Sequence, residues 1–248
     1  MRSLVLALSV FVFAVAGCGS APSGGDGGGP AQAATGPAST MCPNGSLEGC
    51  FGFEEMDRYL QAVLPMLQQF FRDLRPDLPG PRNVVYVRRG ETGLQPCLDP
   101  GGRPGLATST SFEYCGADQT IYVGQDLLWE FYRGAGDAAP AIALAHEWGH
   151  HLQVLLQVPP PRTAAQSVRF ENQADCVSGA WARYADEKGW LETEDDIEDV
   201  ETLIGAIGAR EGAGRDHGTA QEREEAFNAG YERGLRACNA FFPERPIA

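Results

Sequence analysis

Three of the four histidines lie within six positions of the stretch AIALAHEWGHHLQVLLQV, residues 141–158, which is otherwise apolar. His146 and His150 are four residues apart, so on a helix their rings project from one face with Cβ atoms roughly 6 Å apart. Two imidazoles at this spacing can bind one metal ion. Glu147 lies beside that face and can take a proton from a water that the metal activates. The spacing predicts a catalytic zinc site, although a histidine pair buried in a core would give the same pattern.

A second pair of ionisable residues follows in the stretch ENQADC, where Glu171 and Asp175 are again four residues apart. From His150 the helix continues for about eight residues, or about 12 Å, and a similar length from Thr163 brings the chain back level with His150. This return would place Glu171 close enough to the two histidines to be a third zinc ligand. Asp175, one turn further on, can accept the remaining ring proton of a ligating histidine and fix its tautomer. A solvent-exposed pair of carboxylates is the alternative interpretation.

The remaining histidine, His217, lies in RDHGTAQE, two residues before the residue that caps the last helix. Its ring can hydrogen-bond the negative oxygen that develops on a substrate carbonyl, a contact worth roughly 3 kcal/mol where water is excluded. Tyr122 and Tyr231 are alternatives for this catalytic role. A histidine in a surface loop is the simpler interpretation of the same residue.

The elements that must position these residues follow from hydrophobic periodicity. FEEMDRYLQAVLPMLQQFFRDL, residues 53–74, has the period of a helix, in which Pro65 can introduce a kink. NVVYV and QTIYV read as strands, and we expect QTIYV to be an edge strand that aligns an extended substrate. After Gly124 the pattern is helical almost to the end. The sequence therefore predicts an α+β fold, mostly helical with a small N-terminal β-sheet.

Cap and turn residues set the expected ends of the helix that carries the histidines. Asp137 can cap this helix, and Pro140 then falls in its first turn. The three prolines at 159–161 end it. A further helix, which would carry Glu171 and Asp175, is expected from about Ala165 to Lys188.

Two more helices are expected before the end of the chain. One begins at Thr193, where the acidic run ETEDDIEDVE places carboxylates near a helix N-terminus, although a calcium site is an alternative. The other begins at Thr219, because TAQE is a capping box in which Thr219 and Glu222 satisfy each other's free amides. Its apolar stripe continues as far as Cys238, which would face the core.

The N-terminal stretch MRSLVLALSVFVFAVAGC has one positive residue, an apolar run and then small residues, which is the layout of a secretory signal. A buried strand or a short anchor helix is the alternative. VAGC, at 15–18, resembles the lipobox of bacterial lipoproteins, in which the thiol of Cys18 is lipidated. We therefore expect a signal peptide over 1–17, a lipidated Cys18 with a flexible Gly/Pro/Ser/Ala-rich tether over 18–41, and one zinc metallopeptidase-like domain over 42–248. Such a chain is exported and lipid-anchored to a membrane of the bacterial cell envelope, outside the cytoplasm.

The other six cysteines are an even number, which fits an oxidising compartment. They allow fifteen pairings. Closeness in sequence favours Cys42 with Cys50. Cys97 and Cys115 lie in the loops between two predicted strands and can meet if those strands share a sheet. Cys238, on the core-facing stripe of the last helix, is a plausible partner for Cys176. The expected disulfides are Cys42–Cys50, Cys97–Cys115 and Cys176–Cys238.

The charge of the chain restricts its partners. The formal net charge is -14 at pH 7, so electrostatic attraction to nucleic acid is not expected. The length, 248 residues with 43% hydrophobic content, is enough for one sizeable core and too short for two clear domains.

Four stretches, HEWGHHLQ, ENQADC, DHGTAQEREEAFNAGYERG and FEYCGADQTIYV, resemble the bacterial family of "putative neutral zinc metallopeptidases", over roughly Phe51 to Phe242. The spacing H-E-x-x-H followed by E-x-x-x-D is also similar to the thermolysin-like gluzincins. The resemblance implies a zincin-like domain with one Zn²⁺ per chain, Glu171 as third ligand and Asp175 as support for a histidine. Asn172 stands where the family often has leucine, away from the ligand face.

Together these features predict a peptidase. His146, His150 and Glu171 would hold zinc, which lowers the pKa of water to about 7. Glu147 would take the proton of the attacking water and deliver it to the departing amine. Two alternatives are an amide hydrolase of cell-wall material and a non-catalytic, zinc-stabilised surface lipoprotein that serves as a binding scaffold. Glu147 argues against the scaffold, because a structural zinc site has no need of that carboxylate.

Overall fold

A computed structural model describes residue 42 and residues 47–98, 102–191, 194–208 and 215–248. The expected signal peptide, Cys18, the tether and Thr193 lie outside these residues. In the part of the chain that the structure describes, six α-helices and five strands form a mixed α+β architecture. The helices are α1 (Met56–Leu74), α2 (Gln125–Gly134), α3 (Ala139–Leu155), α4 (Ala164–Glu187), α5 (Glu194–Ile207) and α6 (Ala220–Arg233). The strands are β1 (Asn83–Val87), β2 (Gly93–Leu98), β3 (Pro104–Ala107), β4 (Phe112–Cys115) and β5 (Thr120–Gly124).

The predicted strands both exist, but their places in the sheet differ from expectation. The main sheet has the order β1-β5-β4, with β1 parallel and β4 antiparallel to β5. QTIYV therefore forms the central strand, and the prediction that it is an edge strand is wrong. Its five residues, Thr120–Gly124, are all buried, since strands pair with it on both sides. The edge strands of this sheet are β1 and β4.

A hairpin of β2 and β3, which the sequence did not predict as strands, forms a second sheet. Cys97 in β2 is bonded to Cys115 in β4. The pairing is as predicted, although both cysteines lie in strands rather than in loops. The bridge fastens the hairpin to the edge of the main sheet.

The helix that bears the histidines, α3, is buried along most of its length. Trp148 on this helix stacks on Phe71 of α1 with ring centroids 4.9 Å apart, and α1 continues through Pro65 to Leu74. Asp137 does not cap α3, so that prediction is wrong. The N-cap is Ala138, and its backbone N–H donates to the Asp199 carboxylate of α5 at 3.1 Å.

The next helix returns alongside α3, as the prediction from chain length required. Thr163 caps α4 through its side chain, and the helix begins within one residue of the expected position. The two helices cross closely at Gly149, where an added Cβ would lie 2.9 Å from the Ala174 Cα. This contact brings the polar faces of α3 and α4 together.

The last helix begins at the predicted capping box but ends earlier than expected. Thr219 and Glu222 form the box, and α6 stops at Arg233 because Gly234 adopts φ 71°. Cys238 lies beyond it on a 3₁₀ turn, Leu235–Ala240, and is bonded to Cys176 of α4. Cys42 is bonded to Cys50. All three predicted disulfides are therefore present.

Within the described residues, none of the helices combines the length and the apolar character that crossing a bilayer requires.

Candidate metal centre

Three side chains from two helices converge at the crossing of α3 and α4. Nε2 of His146 lies 3.2 Å from Oε2 of Glu171, and Nε2 of His150 lies 3.4 Å from the same oxygen. His146, His150 and Glu171 each offer one ligand atom, and these atoms all lie within 4.8 Å of one another. The i, i+4 spacing on α3 and the return of α4 place them as the sequence predicts.

The first histidine is oriented from behind by a buried carboxylate. Nδ1–H of His146 donates to Oδ1 of Asp175 at 2.8 Å, which turns Nε2 towards Glu171. Arg223 of α6 donates to the same oxygen at 2.9 Å. Because the side chains of Asp175 and Arg223 are both almost fully buried, this ion pair holds the negative charge of Asp175 in place.

The second histidine is oriented by a chain of buried amides. Nδ1–H of His150 donates to Oε1 of Gln153 at 2.8 Å. The amide of Gln153 can face only this way, because its NH₂ group donates to the Phe170 carbonyl at 2.7 Å and to Gln173 at 3.1 Å. Gln173 in turn donates to the carbonyl of Cys238 at 3.1 Å. The orientation of the His150 ring, with Nε2 towards Glu171, is thus set by a network that ends at the carbonyl of the disulfide-bonded Cys238.

Glu147 lies next to the converging ligands and is buried. Its Oε2 accepts a hydrogen bond from the backbone N–H of Tyr114 in β4 at 2.7 Å. Burial raises the pKa of this carboxyl, and the neighbouring His150 and His146 partly oppose the rise. A carboxyl with a raised pKa is suited to accept and release a proton near neutral pH.

His217 lies at the rim of the same site. Its Nε2 is 3.5 Å from Oε2 of Glu171, and its Nδ1 is 3.0 Å from Oδ1 of Asp216. Its side chain is 44% exposed, in contrast to the buried rings on α3. All the residues that the sequence proposed for the site, apart from the two tyrosines, are therefore close together.

The two alternative tyrosines are engaged elsewhere. The Tyr122 hydroxyl donates to Oδ2 of Asp118 at 2.7 Å, and the Tyr231 hydroxyl donates to Oδ2 of Asp186 at 2.9 Å. Neither lines the cavity beside the histidines. Among these candidates, only His217 contacts the cluster.

The charges of the site suit a divalent cation. Three carboxylates, Glu147, Glu171 and Asp175, and one guanidinium, Arg223, give a local charge of about -2 when the imidazoles are neutral (-3 + 1). Burial lowers the pKa of His146, but Asp175 and then Glu171 outweigh it and raise that pKa to about 10. For Glu171, burial raises the pKa, and His150 and His146 bring it well below its usual range. Without a metal ion, protons on the histidine rings therefore offset the negative charge of the carboxylates, which a bound cation would otherwise offset.

The donor set itself fits zinc. Two imidazole nitrogens and one carboxylate oxygen form one of the ligand sets of catalytic zinc sites, which keep a further position open. Both Nδ1 atoms are engaged by acceptors, so both Nε2 lone pairs are available to a cation once the rings lose their extra proton.

The sequence did not identify three residues that support the site: Gln153, Tyr114 and Arg223. A signal existed only for Gln153, which follows His150 by three residues and shares its helix face. Tyr114 acts through its backbone amide, and Arg223 reaches Asp175 from another helix. Contacts of these two kinds leave no spacing pattern in a sequence.

A second group of acids lies apart from the histidines, at Asp137, Asp196 and Asp199, with carboxylate oxygens within 4.8 Å of one another. Two of its members come from the acidic run for which calcium was the alternative. Asp199 accepts from the Ala138 amide, which gives this carboxylate a structural role at the start of α3.

The histidine cluster and its surroundings define a mixed α+β protein with a candidate mononuclear metal site on two packed helices and a carboxylate beside it. The chain belongs to the family described as "Putative neutral zinc metallopeptidase", whose model matches residues 99–241, more than half of its length. This confirms the resemblance seen in the sequence motifs.

Relatives of the chain are found in Escherichia coli and in Mycobacterium tuberculosis. It is 36% identical over 153 residues to "Uncharacterized protein YpfJ" of Escherichia coli (strain K12), covering 52% of this chain and 53% of that protein. It is 28% identical over 235 residues to "Uncharacterized protein Rv2575" of Mycobacterium tuberculosis, covering 81% of this chain and 77% of that protein. The chain thus matches about half the length of YpfJ. No solved structure matches it.

Proposed function

We propose that this protein is a zinc-dependent peptidase with a zincin-like domain in which α3 is the active-site helix. The observation that carries the proposal is the convergence of His146, His150 and Glu171 with the buried carboxylate of Glu147 beside them. A metal held only for stability needs the first three residues and not the fourth. The family to which the chain belongs supports the same activity.

Each residue has a definable task in hydrolysis. His146, His150 and Glu171 would hold one Zn²⁺, while Asp175 and Gln153 keep the Nδ1 protons of the two rings in place. Zinc bound there supplies Lewis acidity, which makes water a nucleophile near neutral pH. Glu147 takes a proton from the attacking water at its carboxylate and gives it to the amine nitrogen as the bond from carbonyl carbon to nitrogen breaks. His217, at the rim, would hydrogen-bond the oxygen of the substrate carbonyl.

The edge strand near Glu147 offers a way to align an extended peptide. In the antiparallel pairing of β4 with β5, Ser111 accepts from Gly124, so the backbone groups of Phe112 and Tyr114 point away from β5. Tyr114 uses its N–H to hold Glu147. A substrate strand that pairs with Phe112 would therefore lie beside the proposed general base.

We also propose that the enzyme works outside the cytoplasm, held to a membrane by a lipid on Cys18. The three disulfides support this location, because such bonds persist in oxidising compartments.

Glu147→Gln tests the peptidase directly. The variant should bind zinc with the stoichiometry of the parent chain and cleave a peptide library at least about 100-fold more slowly, because the amide cannot accept the proton. Glu224→Gln, an exposed change of the same kind on α6, should alter neither property. Zinc content is measured by atomic emission and cleavage by mass spectrometry.

Three results would contradict the proposal in different ways. Undiminished cleavage by Glu147→Gln would exclude the general base. Stoichiometric zinc with no cleavage by the parent chain would favour the scaffold. Hydrolysis of cell-wall amides alone would keep the chemistry and change the substrate.

A further inference from the structure

The hairpin of β2 and β3 turns an apolar face to solvent. In a hairpin that packs on one side only, the outward residues are usually polar and the inward residues apolar. Here the outward residues of both strands are exposed and none of them is polar or charged: Leu94, Pro96, Leu98, Pro104 and Leu106. We call these five residues the outer face of the hairpin. Within the described residues, its leucines are the three most exposed large apolar side chains, at 81%, 66% and 55%.

The inner face of the hairpin packs on the main sheet, on the side away from the candidate metal centre. Ala107 belongs to a small buried cluster with Val87 and Tyr122, which lie on one side of that sheet. Side chains alternate along a strand, so Ile121 and Val123 point to the other side, where they join the core that contains α3. The outer face and α3 therefore lie on opposite sides of the main sheet.

The outer face taken alone is too small for a stable contact between two copies of the chain. The six residues of β2 extend about 20 Å, and two paired strands are about 10 Å wide, which gives roughly 200 Å². A standard protein interface buries about 800 Å² on each partner. The boundary between lipid headgroups and acyl chains accepts a small apolar face without a complementary shape, so a bilayer fits the outer face better.

The chain that precedes Cys42 brings a bilayer within reach. The proposed lipid on Cys18 is 24 residues from Cys42 (42 − 18), and a stretch of that length spans at most about 85 Å. Tethering at this range gives the domain an effective concentration at the membrane far above that of a chain free in solution.

The tether also joins the domain near the start of the hairpin. Cys42 is bonded to Cys50, and Phe53 follows three residues later. The side-chain amide of Gln125 donates to the Phe53 carbonyl at 3.0 Å and accepts from the N–H of Arg89 at 3.0 Å. Arg89 lies in the link between β1 and β2, and its guanidinium is 4.4 Å from the centre of the Phe53 ring. The hairpin is therefore on the side of the domain that the tether holds to the membrane.

The charge of the hairpin region does not oppose contact with an anionic bilayer. Residues 88–107 contain three arginines and two acids, a net charge of +1, whereas the whole chain carries -14. Arg88 and Arg89 are paired with Asp57 and Asp126, so little of this positive charge is left to attract lipid. Apolar contact must therefore supply most of the binding.

We infer that the outer face of the hairpin is a membrane-docking surface, which enters the interfacial region of the bilayer to which the chain is tethered. The inference rests on the proposed lipid on Cys18. It adds an orientation, in which the candidate metal centre lies on the side of the main sheet that faces away from the lipid.

The outer face orients the domain and does not by itself hold it on the membrane. The side chains of its three leucines contain together about twelve carbon atoms, fewer than one myristoyl chain, whose membrane binding is only marginal. A chain without the lipid should therefore leave the membrane even though its hairpin is intact.

The experiment measures how deep the hairpin lies in the bilayer. The lipidated full chain is placed in vesicles of phosphatidylglycerol and a phosphatidylcholine brominated in its acyl chains, because bromine quenches nearby indoles. Leu106→Trp should lose at least about half of the emission that it adds to the parent spectrum, since a docked apolar face lies about 5–10 Å into the boundary between headgroups and chains. Vesicles with the same lipids unbrominated give the reference.

Leu74→Trp is the matched control. Leu74 is 44% exposed and ends α1, 17 residues (74 − 57) from Asp57. That distance is about 26 Å along the helix. Asp57 pairs with Arg88 beside the hairpin, so Leu74 lies well away from the outer face. An indole at this position has the same affinity for an interface and should not be quenched.

Two changes at Leu98, each added to Leu106→Trp, test the outer face itself. Leu98→Asp places on it a carboxylate that would have to lose its water, and should abolish the quenching. Leu98→Met keeps the face apolar and should preserve the quenching. Leu98 is 66% exposed, so neither change disturbs the core. Both variants should still sediment with the vesicles, because the lipid holds them.

The outcomes separate docking from lipid attachment. A chain that carries lipid and sediments with the vesicles, but shows no quenching in Leu106→Trp or equal quenching in Leu98→Asp, overturns the docking surface and leaves the anchor intact. A chain without lipid overturns the anchor, and the docking with it. Unquenched emission that moves to shorter wavelength as the chain becomes denser on the vesicles identifies a second copy on the outer face, and also overturns the docking surface.

Discussion

His151 lies next to a proposed metal ligand, yet its ring stabilises the fold. Nε2–H donates to the Pro79 carbonyl at 3.0 Å, so Nδ1 must accept the hydrogen bond from the Tyr114 hydroxyl, 2.9 Å away. Burial lowers the pKa of this ring, which keeps it in the neutral form that both contacts require. The ring therefore fastens β4 to α3, and β4 is the strand whose backbone holds Glu147.

The orientation of the His150 ring depends on the side-chain amide of Gln153. The variant Gln153→Leu tests how strongly zinc binding depends on this contact. Without an acceptor for Nδ1–H, the imidazole is free to change tautomer and orientation, and zinc affinity should fall about 10- to 100-fold. Gln153→Glu keeps an acceptor for Nδ1–H but sets a buried carboxylate oxygen against the Phe170 carbonyl and Gln173, so it should recover only part of the affinity. Competition with a chromophoric chelator measures both. Equal affinity in the parent chain and Gln153→Leu would remove this residue from the site.

Zinc binding should release protons, because the metal-free rings hold more of them than isolated histidines do. Burial lowers the pKa of His146, but Asp175 and Glu171 raise it to about 10, so at pH 7 the ring carries a proton that zinc must displace. We expect the release of at least about one proton per zinc. Calorimetric titrations in two buffers of different ionisation enthalpy give this number. A heat that does not depend on the buffer would contradict the prediction.

The same raised pKa affects the metal-free fold. A pKa that rises from the usual 6.5 to about 10 on folding stabilises the folded state fully below pH 6.5. That contribution is lost as the pH rises towards 10. The melting temperature of the metal-free chain should decline over this interval more than that of the zinc-loaded chain.

At the scale of elements, the site depends on how closely helices approach one another. An added Cβ at Gly230 of α6 would lie 1.9 Å from the Cys176 carbonyl oxygen, which belongs to the backbone of α4. The same two helices carry Glu171, Asp175 and Arg223. Their close packing is therefore what allows Arg223 to reach Asp175.

Gly230→Ala should force these helices apart. Overpacking typically costs about 1–3 kcal/mol, and a clash with backbone lies at the upper end. For a domain of this size we expect the melting temperature to fall by roughly 6–12 °C. Gly205→Ala is the matched control, since nothing lies within 4 Å of its added Cβ in α5. That change should instead raise the melting temperature by up to roughly 4 °C. The same sign for both variants would refute the packing argument.

How far the sequence predicts these elements depends on the range of the interaction. The capping box at Thr219 and the return of α4 to α3 are local or follow from chain length, and both were predicted. The order β1-β5-β4 was not, because strand pairing joins residues far apart in sequence. For the same reason, the Ala138 amide at the start of α3 donates to Asp199, a residue distant in sequence, and Asp137 does not cap the helix.

At the scale of the whole molecule, the bridges fasten the segments on which the site depends. Cys97–Cys115 holds the β2–β3 hairpin to the edge strand, and Cys176–Cys238 holds the end of the chain to α4. Their pairing was predictable, because the number of cysteines is even and the expected positions of the helices and strands favoured particular partners. The whole network behind His150 could not be predicted, because it links side chains of two helices, α3 and α4, to the carbonyl of Cys238 in a later turn.

The proposed membrane attachment depends on one sulfur atom. In a bacterial host grown with an alkyne-bearing fatty acid, the parent chain should take up the label and sediment with membranes. Cys18→Ser should lose both properties. A hydroxyl cannot supply the thiolate nucleophile that forms the thioether, so the lipid is not attached. Each buried CH₂ of the missing lipid then costs about 0.8 kcal/mol of membrane affinity. Ser20→Ala, a neighbouring change that keeps the sulfur, should behave as the parent. If Cys18→Ser keeps the label, the lipid is attached to another residue and the lipobox prediction is wrong.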